Sequence, residues 1–335
     1  MAHLTKNHIK KIGEILACED ASPDERKTAL EELSRWREAH LAPFQTMLEL
    51  LESIACNAGS DFVLFGRLKR IDTIEGKLRR PGSTHKLNTM DDIAGCRLIL
   101  PSIEDMRRVE ALLLEKLGSS VCRTRDYIKT PKESGYRGIH IIGKLDSPAF
   151  GLTDLRVEVQ LRTEVQHAWA STLELYDVLT SSGLKFGQGD ERQLRFFRIV
   201  SELFAGDEME AKPPNRMHLA EELKLLESSI HVVRYLEGAN DSVVPLGNAG
   251  GINETTYCLI RLDYETQEAF IEAYPQAAAP DVVVEYAKQE RLKQHSRSTD
   301  VLMLKASSFE TLKRALPNYF SDISFFLTLI APYLK

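Results

Sequence analysis

The sequence predicts an α/β (α+β) protein in which helices flank a mixed β-sheet. Apolar and polar residues alternate from Leu155 to Arg162, as expected for a strand with one buried face. A segment with helical spacing at residues 103–117 follows the extended segment 93–100. Two more extended segments come next, at 138–144 and 155–161, and a second helical segment follows at 164–179. Such a mixture is typical of a sheet covered by helices.

Four segments are expected along the 335-residue chain. Residues 1–60 are predicted to be helical, residues 61–180 to hold the mixed sheet, and residues 181–242 to form a helical connector. A Gly-Asn-rich stretch at 238–253 indicates a boundary. Residues 243–335 are predicted to be a small, separate α/β module. Its predicted elements are a strand at 256–263, helices at 267–289, a strand at 301–305 and helices at 309–315 and 321–334.

The charge of the chain is uneven. The formal net charge is −6, which argues against a general polyanion binder. Residues 67–86 nevertheless hold seven basic and two acidic residues, and residues 123–137 hold five basic and two acidic residues. Two basic islands in an acidic protein indicate a site for anionic ligands. The sequence lacks a signal-peptide core and a membrane-spanning apolar run, so we expect a cytoplasmic protein.

The region from Arg125 to Arg162 carries side chains suited to nucleotide phosphoryl chemistry. Glu158 lies on the polar face of the alternating strand, and Tyr136 and His140 share a face at strand spacing. The basic residues around them are Arg125, Lys129, Lys132 and Arg137. An aromatic ring for base stacking, cations for phosphates and a carboxylate for a metal ion suggest this chemistry. A wholly solvated strand face is the alternative.

These residues closely resemble the synthetase domain of the RelA/SpoT family. The matching motifs occur in the family order over about 110 residues. They are Arg67-Leu68-Lys69 with Thr73 and Lys77, Asp92-Ile93-Ala94-Gly95-Cys96-Arg97, Asp126-Tyr127-Ile128, Pro131-Lys132, Gly135-Tyr136 with His140, and Glu158-Val159-Gln160-Leu161-Arg162-Thr163. The resemblance implies a nucleotidyltransferase-like fold.

The resemblance also implies a reaction and a set of roles. The family transfers the pyrophosphate of ATP to a ribose 3′-hydroxyl with the help of Mg²⁺. Asp92 and Glu158 are the implied metal-side carboxylates, and Glu158 is also the implied catalytic base. The implied ATP-binding residues are Arg67, Lys69, Thr73 and Lys77. The implied acceptor-binding residues are Tyr136, Lys132, Arg125, His140, Gln160 and Arg162.

Ordinary structural roles are the alternatives to these assignments. Asp92 could cap a helix or turn, and Glu158 could pair with a neighbouring arginine. The basic residues of 67–77 could form a solvated helix face, and Tyr136 and His140 could be core residues.

Members of the family differ in the acceptor that they use. Arg125 stands where guanosine-nucleotide synthetases commonly have lysine, which changes the hydrogen-bonding geometry. The segments GRLKR, MDDIAGCR and RFFRIVSELFA resemble the toxic small synthetases, and within them the CapRel-like fused toxin–antitoxins. This resemblance implies the 3′ CCA end of tRNA as acceptor, and a C-terminal module that restrains the enzyme until a phage protein binds. The alternatives are a (p)ppGpp synthetase that uses GDP or GTP, and a catalytically silent nucleotide- or partner-binding protein.

Overall fold

The computed structural model describes residues 4–184, 187–209, 214–240, 256–263, 268–275, 279–292, 299–306 and 323–335. The helices of these residues are α1 (Lys6–Ala17), α2 (Pro23–Ala39), α3 (Leu41–Asn57), α4 (Ile71–Arg79), α5 (Ile103–Leu117), α6 (Glu164–Thr180), α7 (Glu191–Glu208), α8 (Arg216–Ile230), α9 (Val232–Asn240), α10 (Ala279–Leu292) and α11 (Ser324–Leu334). The strands are β1 (Val63–Leu68), β2 (Ala94–Leu100), β3 (Val121–Asp126), β4 (Ile139–Ser147), β5 (Leu152–Thr163), β6 (Thr256–Asp263), β7 (Glu268–Tyr274) and β8 (Thr299–Ala306).

All eight strands belong to one mixed sheet, in the order β3-β4-β5-β2-β1-β8-β6-β7. Strands β2 and β5 are parallel, and every other neighbouring pair is antiparallel. This confirms the predicted fold class. The central position of β5 explains its alternation, because Val157, Val159 and Leu161 are fully buried on one face. That face packs on α3 and α5, which leaves the opposite face of β5 for polar side chains.

Local capping signals set where several helices begin. Ser22 and Glu25 form a reciprocal capping box at the start of α2. Thr163 and Gln166 form a second capping box at the start of α6. Strand β5 therefore passes directly into α6 at Thr163, and the polar end of β5 lies beside the first turns of that helix.

A second core lies on the side of α6. Aromatic residues of α6, α7 and α11 pack together there, including Trp169, Phe197 and Phe326. The indole Nε1 of Trp169 donates a hydrogen bond to the carbonyl of Phe197 at 2.8 Å. This core fixes α6 against the sheet. No helix among the described residues is both long and apolar enough to cross a membrane.

The C-terminal part of the chain extends the same sheet. Strand β8 pairs with β1, with Gly66 opposite Met303, and β6 and β7 follow beyond β8. The prediction of helices from 267 to 289 is wrong in its first part, because β7 occupies Glu268–Tyr274 before α10 begins. The domain boundary near residue 243 stays a prediction, since residues 241–255 lie outside the described residues. The predicted helix at 309–315 also lies outside them.

Candidate active site

A cavity of about 530 Å³ opens on the polar face of the central strands. Eleven of the twelve residues that the sequence singled out lie on its wall. They are Arg67, Lys69, Lys77, Asp92, Arg125, Lys132, Tyr136, His140, Glu158, Gln160 and Arg162. Thr73 is the exception, because it lies in the first turn of α4 and is not part of the lining. The residues come together from distant parts of the sequence, and their roles stay predictions.

Strand register explains why residues far apart in sequence meet. His140 on β4 lies directly opposite Gln160 on β5, and Gln160 lies opposite Arg97 on β2. Glu158 is two residues from Gln160, so it points to the same face and lies diagonal to His140. Polar side chains of three adjacent strands therefore converge on one surface.

The loop between β3 and β4 carries Lys132 and Tyr136, and polar contacts shape it at both ends. The Asp126 carboxylate accepts hydrogen bonds from the amides of Ile128 and Lys129, each at 3.0 Å. Gly135 has φ of +90°, a conformation that L-residues with side chains rarely adopt. The hydroxyl of Ser201 donates to its carbonyl. The glycine of the Gly-Tyr pair thus lets the loop turn so that the Tyr136 ring faces the cavity.

Two lysines surround Asp92 on one side of the cavity. Lys69 Nζ lies 3.0 Å from Asp92 Oδ2, and Lys77 Nζ lies 3.0 Å from Asp92 Oδ1. Burial raises the pKa of Asp92, but the two ammonium groups outweigh it and the pKa lies below its ordinary value. Burial lowers the pKa of Lys69, and Asp92 partly offsets that change. The carboxylate is therefore ionised at neutral pH.

Glu158 lies in a different environment, at one end of a chain of hydrogen bonds. Its Oε1 is 3.1 Å from His140 Nδ1, and its Oε2 accepts a hydrogen bond from Gln160 Nε2 at 2.9 Å. Tyr136 Oη is 2.6 Å from His140 Nε2, and Arg162 Nε donates to Tyr136 Oη at 3.2 Å. An ionised carboxylate only accepts, so Nδ1 of His140 must carry the proton that it donates to Glu158. Nε2 then accepts from the Tyr136 hydroxyl.

The charge states of this pair follow from burial and hydrogen bonding. Burial raises the pKa of Glu158, but hydrogen bonds from His140 and Gln160 outweigh it and lower the pKa to about 2. Burial lowers the pKa of His140, and its contact with Glu158 only partly offsets that change. At neutral pH the pair is therefore an ionised Glu158 and a neutral His140.

Cations lie against the Tyr136 ring. Lys132 Nζ is 4.7 Å from the ring centroid of Tyr136 and 4.6 Å from that of Tyr127. The guanidinium of Arg162 is 5.0 Å from the Tyr136 centroid. Cations this close to the ring are also placed to contact the phosphates of a nucleotide whose base stacks on Tyr136.

Several wall residues had no role in the prediction, among them Phe65, Arg97, Glu174 and Leu302. Arg97 belongs to a motif quoted above but had no predicted role. Its Nε donates to Gln160 Oε1 at 3.1 Å, and its guanidinium lies 5.1 Å from the Phe65 centroid. Burial, followed by the nearby Arg162, lowers the pKa of Arg97 to about 10. Alternation along β2 could have found Arg97, whereas nothing in the sequence links Leu302 to this wall.

Two other basic residues named from the sequence lie away from the cavity. Arg137 forms a buried ion pair with Glu208 at 2.7 Å, beside the second core. Lys129 is exposed and lies 3.7 Å from Asp126. Neither residue is part of the cavity wall. Both have structural contacts that account for them.

The side chains at this site fit Mg²⁺ bound together with a nucleotide. Asp92 and Glu158 offer carboxylate oxygens, the ligand type that Mg²⁺ prefers. The described residues contain no group of three or more His, Cys, Asp or Glu side chains placed to hold a metal ion by themselves. Mg²⁺ commonly takes one or two carboxylates and completes its shell with water and substrate phosphates. A two-carboxylate site among lysines matches that pattern.

Comparison with known proteins finds relatives of the region that holds most of this cavity wall. Residues 66–175 match the family described as a region found in RelA / SpoT proteins. The chain is 35% identical over 108 residues to GTP pyrophosphokinase YjbM of Bacillus subtilis (strain 168), a match that covers 32% of this chain and 51% of that protein. It is 34% identical over 113 residues to GTP pyrophosphokinase YwaC of the same strain, covering 31% of this chain and 52% of that protein.

Among solved structures, the small alarmone synthetase 1 from Bacillus subtilis bound to its product pppGpp aligns with a TM-score of 0.46 and 25% identity. The alignment covers 54% of this chain and 94% of that one. The chain spans about half the length of the curated relatives that it matches. This chain is therefore similar to RelA / SpoT proteins over residues 66–175, and to about half the length of the two GTP pyrophosphokinases.

Proposed function

We propose that this protein is an ATP-dependent pyrophosphokinase that transfers pyrophosphate to a ribose 3′-hydroxyl. The observation that carries the proposal is the cavity itself, where two ionised carboxylates, a group of cations and a tyrosine face one space. The names of the curated relatives support the same reaction class. A catalytically silent nucleotide-binding protein would have no need to retain both carboxylates.

The Asp92 side of the cavity suits the donor nucleotide. Mg²⁺, when bound, would neutralise charge on the triphosphate. Asp92 would hold this ion, and Lys69 and Lys77 would then turn from the carboxylate to the phosphate oxygens. Arg67, on the same part of the wall, would contact the same nucleotide. These contacts would hold the β-phosphorus in line for attack.

The Glu158 side suits the acceptor. The ribose 3′-oxygen forms a bond to the β-phosphorus of ATP as the bond from that phosphorus to the α–β bridging oxygen breaks, and AMP leaves. Glu158 accepts the hydroxyl proton. With a pKa near 2 it is a weak base in the ligand-free protein. A triphosphate nearby raises that pKa through like-charge repulsion, so donor binding would strengthen the base.

A guanine nucleotide is the first candidate acceptor, because the matched relatives are named GTP pyrophosphokinases. Its base would stack on Tyr136, and its phosphates would contact Lys132, Arg125 and Arg162. The product would be (p)ppGpp.

The 3′ end of tRNA is the second candidate acceptor. Arg80 lies on the cavity wall and is exposed, and Lys86 is exposed a few residues further along the chain. Exposed cations at the edge of a cavity could follow a nucleic-acid backbone. With this acceptor the protein would block translation, as a toxin restrained by residues 243–335 and released by a phage protein.

A label-transfer assay distinguishes these acceptors. The full chain is incubated with γ-³²P-ATP and Mg²⁺, and with GDP, GTP or deacylated tRNA, beside the Glu158→Gln variant. We expect Glu158-dependent label on GDP or GTP, with weak salt dependence. Label on tRNA that falls steeply between about 50 and 200 mM salt would select the second candidate. ATP binding with neither labelled product nor AMP would contradict the proposed function.

A further inference from the structure

The donor side of the cavity receives support from a part of the chain that lies outside the matched region. Strand β8 pairs with β1 over Leu64, Phe65 and Gly66. Strand β1 ends at Leu68, immediately before Lys69, and on its other edge it pairs with β2. The strand that leads to Lys69 is thus held between a strand of the RelA/SpoT region and a C-terminal strand.

Tyr286 of α10 holds the end of β1 directly. The pairing of β1 with β8 reaches Gly66, and the amide of Leu68 lies beyond it. This amide donates a hydrogen bond to Tyr286 Oη at 2.9 Å. The Tyr286 side chain is fully buried, and its ring centroid lies 5.5 Å from that of Phe44. A rigid, buried hydroxyl therefore accepts from the backbone one residue before Lys69.

Helix α10 also acts on Lys69 through Arg37 of α2. Arg37 Nε donates to the carbonyl of Lys69 at 2.7 Å, and Arg37 Nη2 lies 2.8 Å from Glu290 Oε2. Both partners of this ion pair are buried. The Lys69 amide donates to the carbonyl of Ile93 at 2.8 Å, next to Asp92. The backbone around Lys69 is thus held at successive polar atoms.

A wall residue of the cavity also comes from this part of the chain. Leu302 of β8 lines the cavity together with Phe65 and Arg67 of β1. The C-terminal strands therefore contribute to the shape of the site as well as to its support.

We propose that residues 279–292 and 299–306 are a positioning part of the active site, in which Tyr286 and Glu290 fix the Lys69 backbone so that its ammonium group faces Asp92 and the donor phosphates. This inference rests on the proposed function, since it assigns the donor side to ATP. According to this proposal, contacts from the C-terminal part strengthen the binding of ATP. If the C-terminal part only restrained the enzyme, loss of its contacts would instead strengthen ATP binding.

The test compares Tyr286→Phe with Tyr274→Phe in the full chain. Phenylalanine keeps the buried ring of Tyr286 and removes the hydroxyl that accepts from the Leu68 amide. Tyr274 is a matched control on β7, where its hydroxyl donates to Glu272 at 2.8 Å, away from the cavity wall. Glu290→Gln, which keeps an acceptor for Arg37 but removes the charge, is the second variant.

Two readouts are followed: the KM values for ATP and for the acceptor, and amide hydrogen exchange in the peptide that contains Leu68 and Lys69. For Tyr286→Phe we expect faster exchange there and a roughly three- to tenfold rise in the KM for ATP, the size of one lost hydrogen bond. The KM for the acceptor and the kcat should not change. Glu290→Gln should shift both readouts in the same direction.

The inference is overturned if Tyr286→Phe matches Tyr274→Phe in both exchange and KM for ATP, or if it raises the KM for ATP and for the acceptor alike. If the wild-type protein has no transferase activity, the proposed function fails instead. The positioning role is then judged by exchange and by the affinity for a non-hydrolysable ATP analogue, in the same comparison with Tyr274→Phe.

Discussion

Asp92 and Glu158 lie on the wall of one cavity, but different kinds of group contact their carboxylates. Two ammonium groups contact Asp92, each on a flexible side chain that can turn to another anion. Neutral donors contact Glu158: the imidazole of His140 on the neighbouring strand β4, and the amide of Gln160 on its own strand β5. Lysines can exchange a carboxylate for a phosphate. The register between β4 and β5 instead holds His140 beside Glu158, and Gln160 follows two residues later on the same strand. From this difference we propose a donor side around Asp92 and a catalytic side around Glu158.

The largest effect should come from Glu158→Gln. The amide oxygen can still accept from His140, but the side chain can no longer take a proton. We expect transfer to fall on the order of a thousandfold, the range for loss of a general base. This fall is measured as the rate of AMP release with saturating ATP and acceptor. As a control, the variant should bind a non-hydrolysable ATP analogue with unchanged affinity. A loss below tenfold would mean that another group accepts the proton.

Acid should lower the free energy of unfolding through Glu158 and His140. The pKa of Glu158 falls from 4.5 to about 2 on folding, so its ionised form contributes about 3 kcal/mol above pH 4.5. More than half of this contribution should be lost by about pH 3. His140 acts in the same direction at higher pH, because its lowered pKa makes the unfolded chain take up a proton first as pH falls below 6.5.

Urea unfolding of wild type and Glu158→Gln from pH 7 to pH 3 measures this contribution. The difference in free energy of unfolding between the two proteins should shrink steadily below pH 4.5. A constant difference over that range would show that Glu158 does not have a lowered pKa.

A smaller effect is expected on the donor side, from Asp92→Asn. Removal of the charge takes away a candidate ligand and leaves Lys69 and Lys77 to repel each other. We expect the Mg²⁺ concentration for half-maximal activity to rise on the order of tenfold, which corresponds to about 1.4 kcal/mol. Asp91→Asn is the matched control, since Asp91 pairs with Arg123 at 2.9 Å and Arg156 at 2.8 Å, outside the cavity wall. Equal shifts in both variants would mean that Asp92 is not a ligand of the metal ion.

Local sequence signals explain how much of the fold was predictable. Alternation found β5, and helical spacing found α5 with both of its ends, because a serine cap and a buried face set them. Strand β3 was missed, since it is an edge strand with mostly exposed or half-buried polar residues and no apolar face. Strand β7 was predicted as helix because it is short and carries no clear alternation.

Pairing between distant strands could not be predicted from the sequence. Nothing near Gly66 indicates that Met303 lies opposite it, so the addition of β8 to the sheet and of Leu302 to the cavity went unpredicted. The site residues were found because their motifs are local. Their contacts, such as His140 with Glu158, depend on register between β4 and β5, which only the folded chain supplies.

The most direct test of the two-sided cavity is the binding of a non-hydrolysable ATP analogue with Mg²⁺ to Lys77→Met and Tyr136→Ala, measured by calorimetry. Lys77 lies on the donor side and Tyr136 on the catalytic side, so only the first variant should bind the analogue more weakly, by on the order of tenfold. Equal weakening in both variants would contradict a division of the cavity into a donor side and a catalytic side.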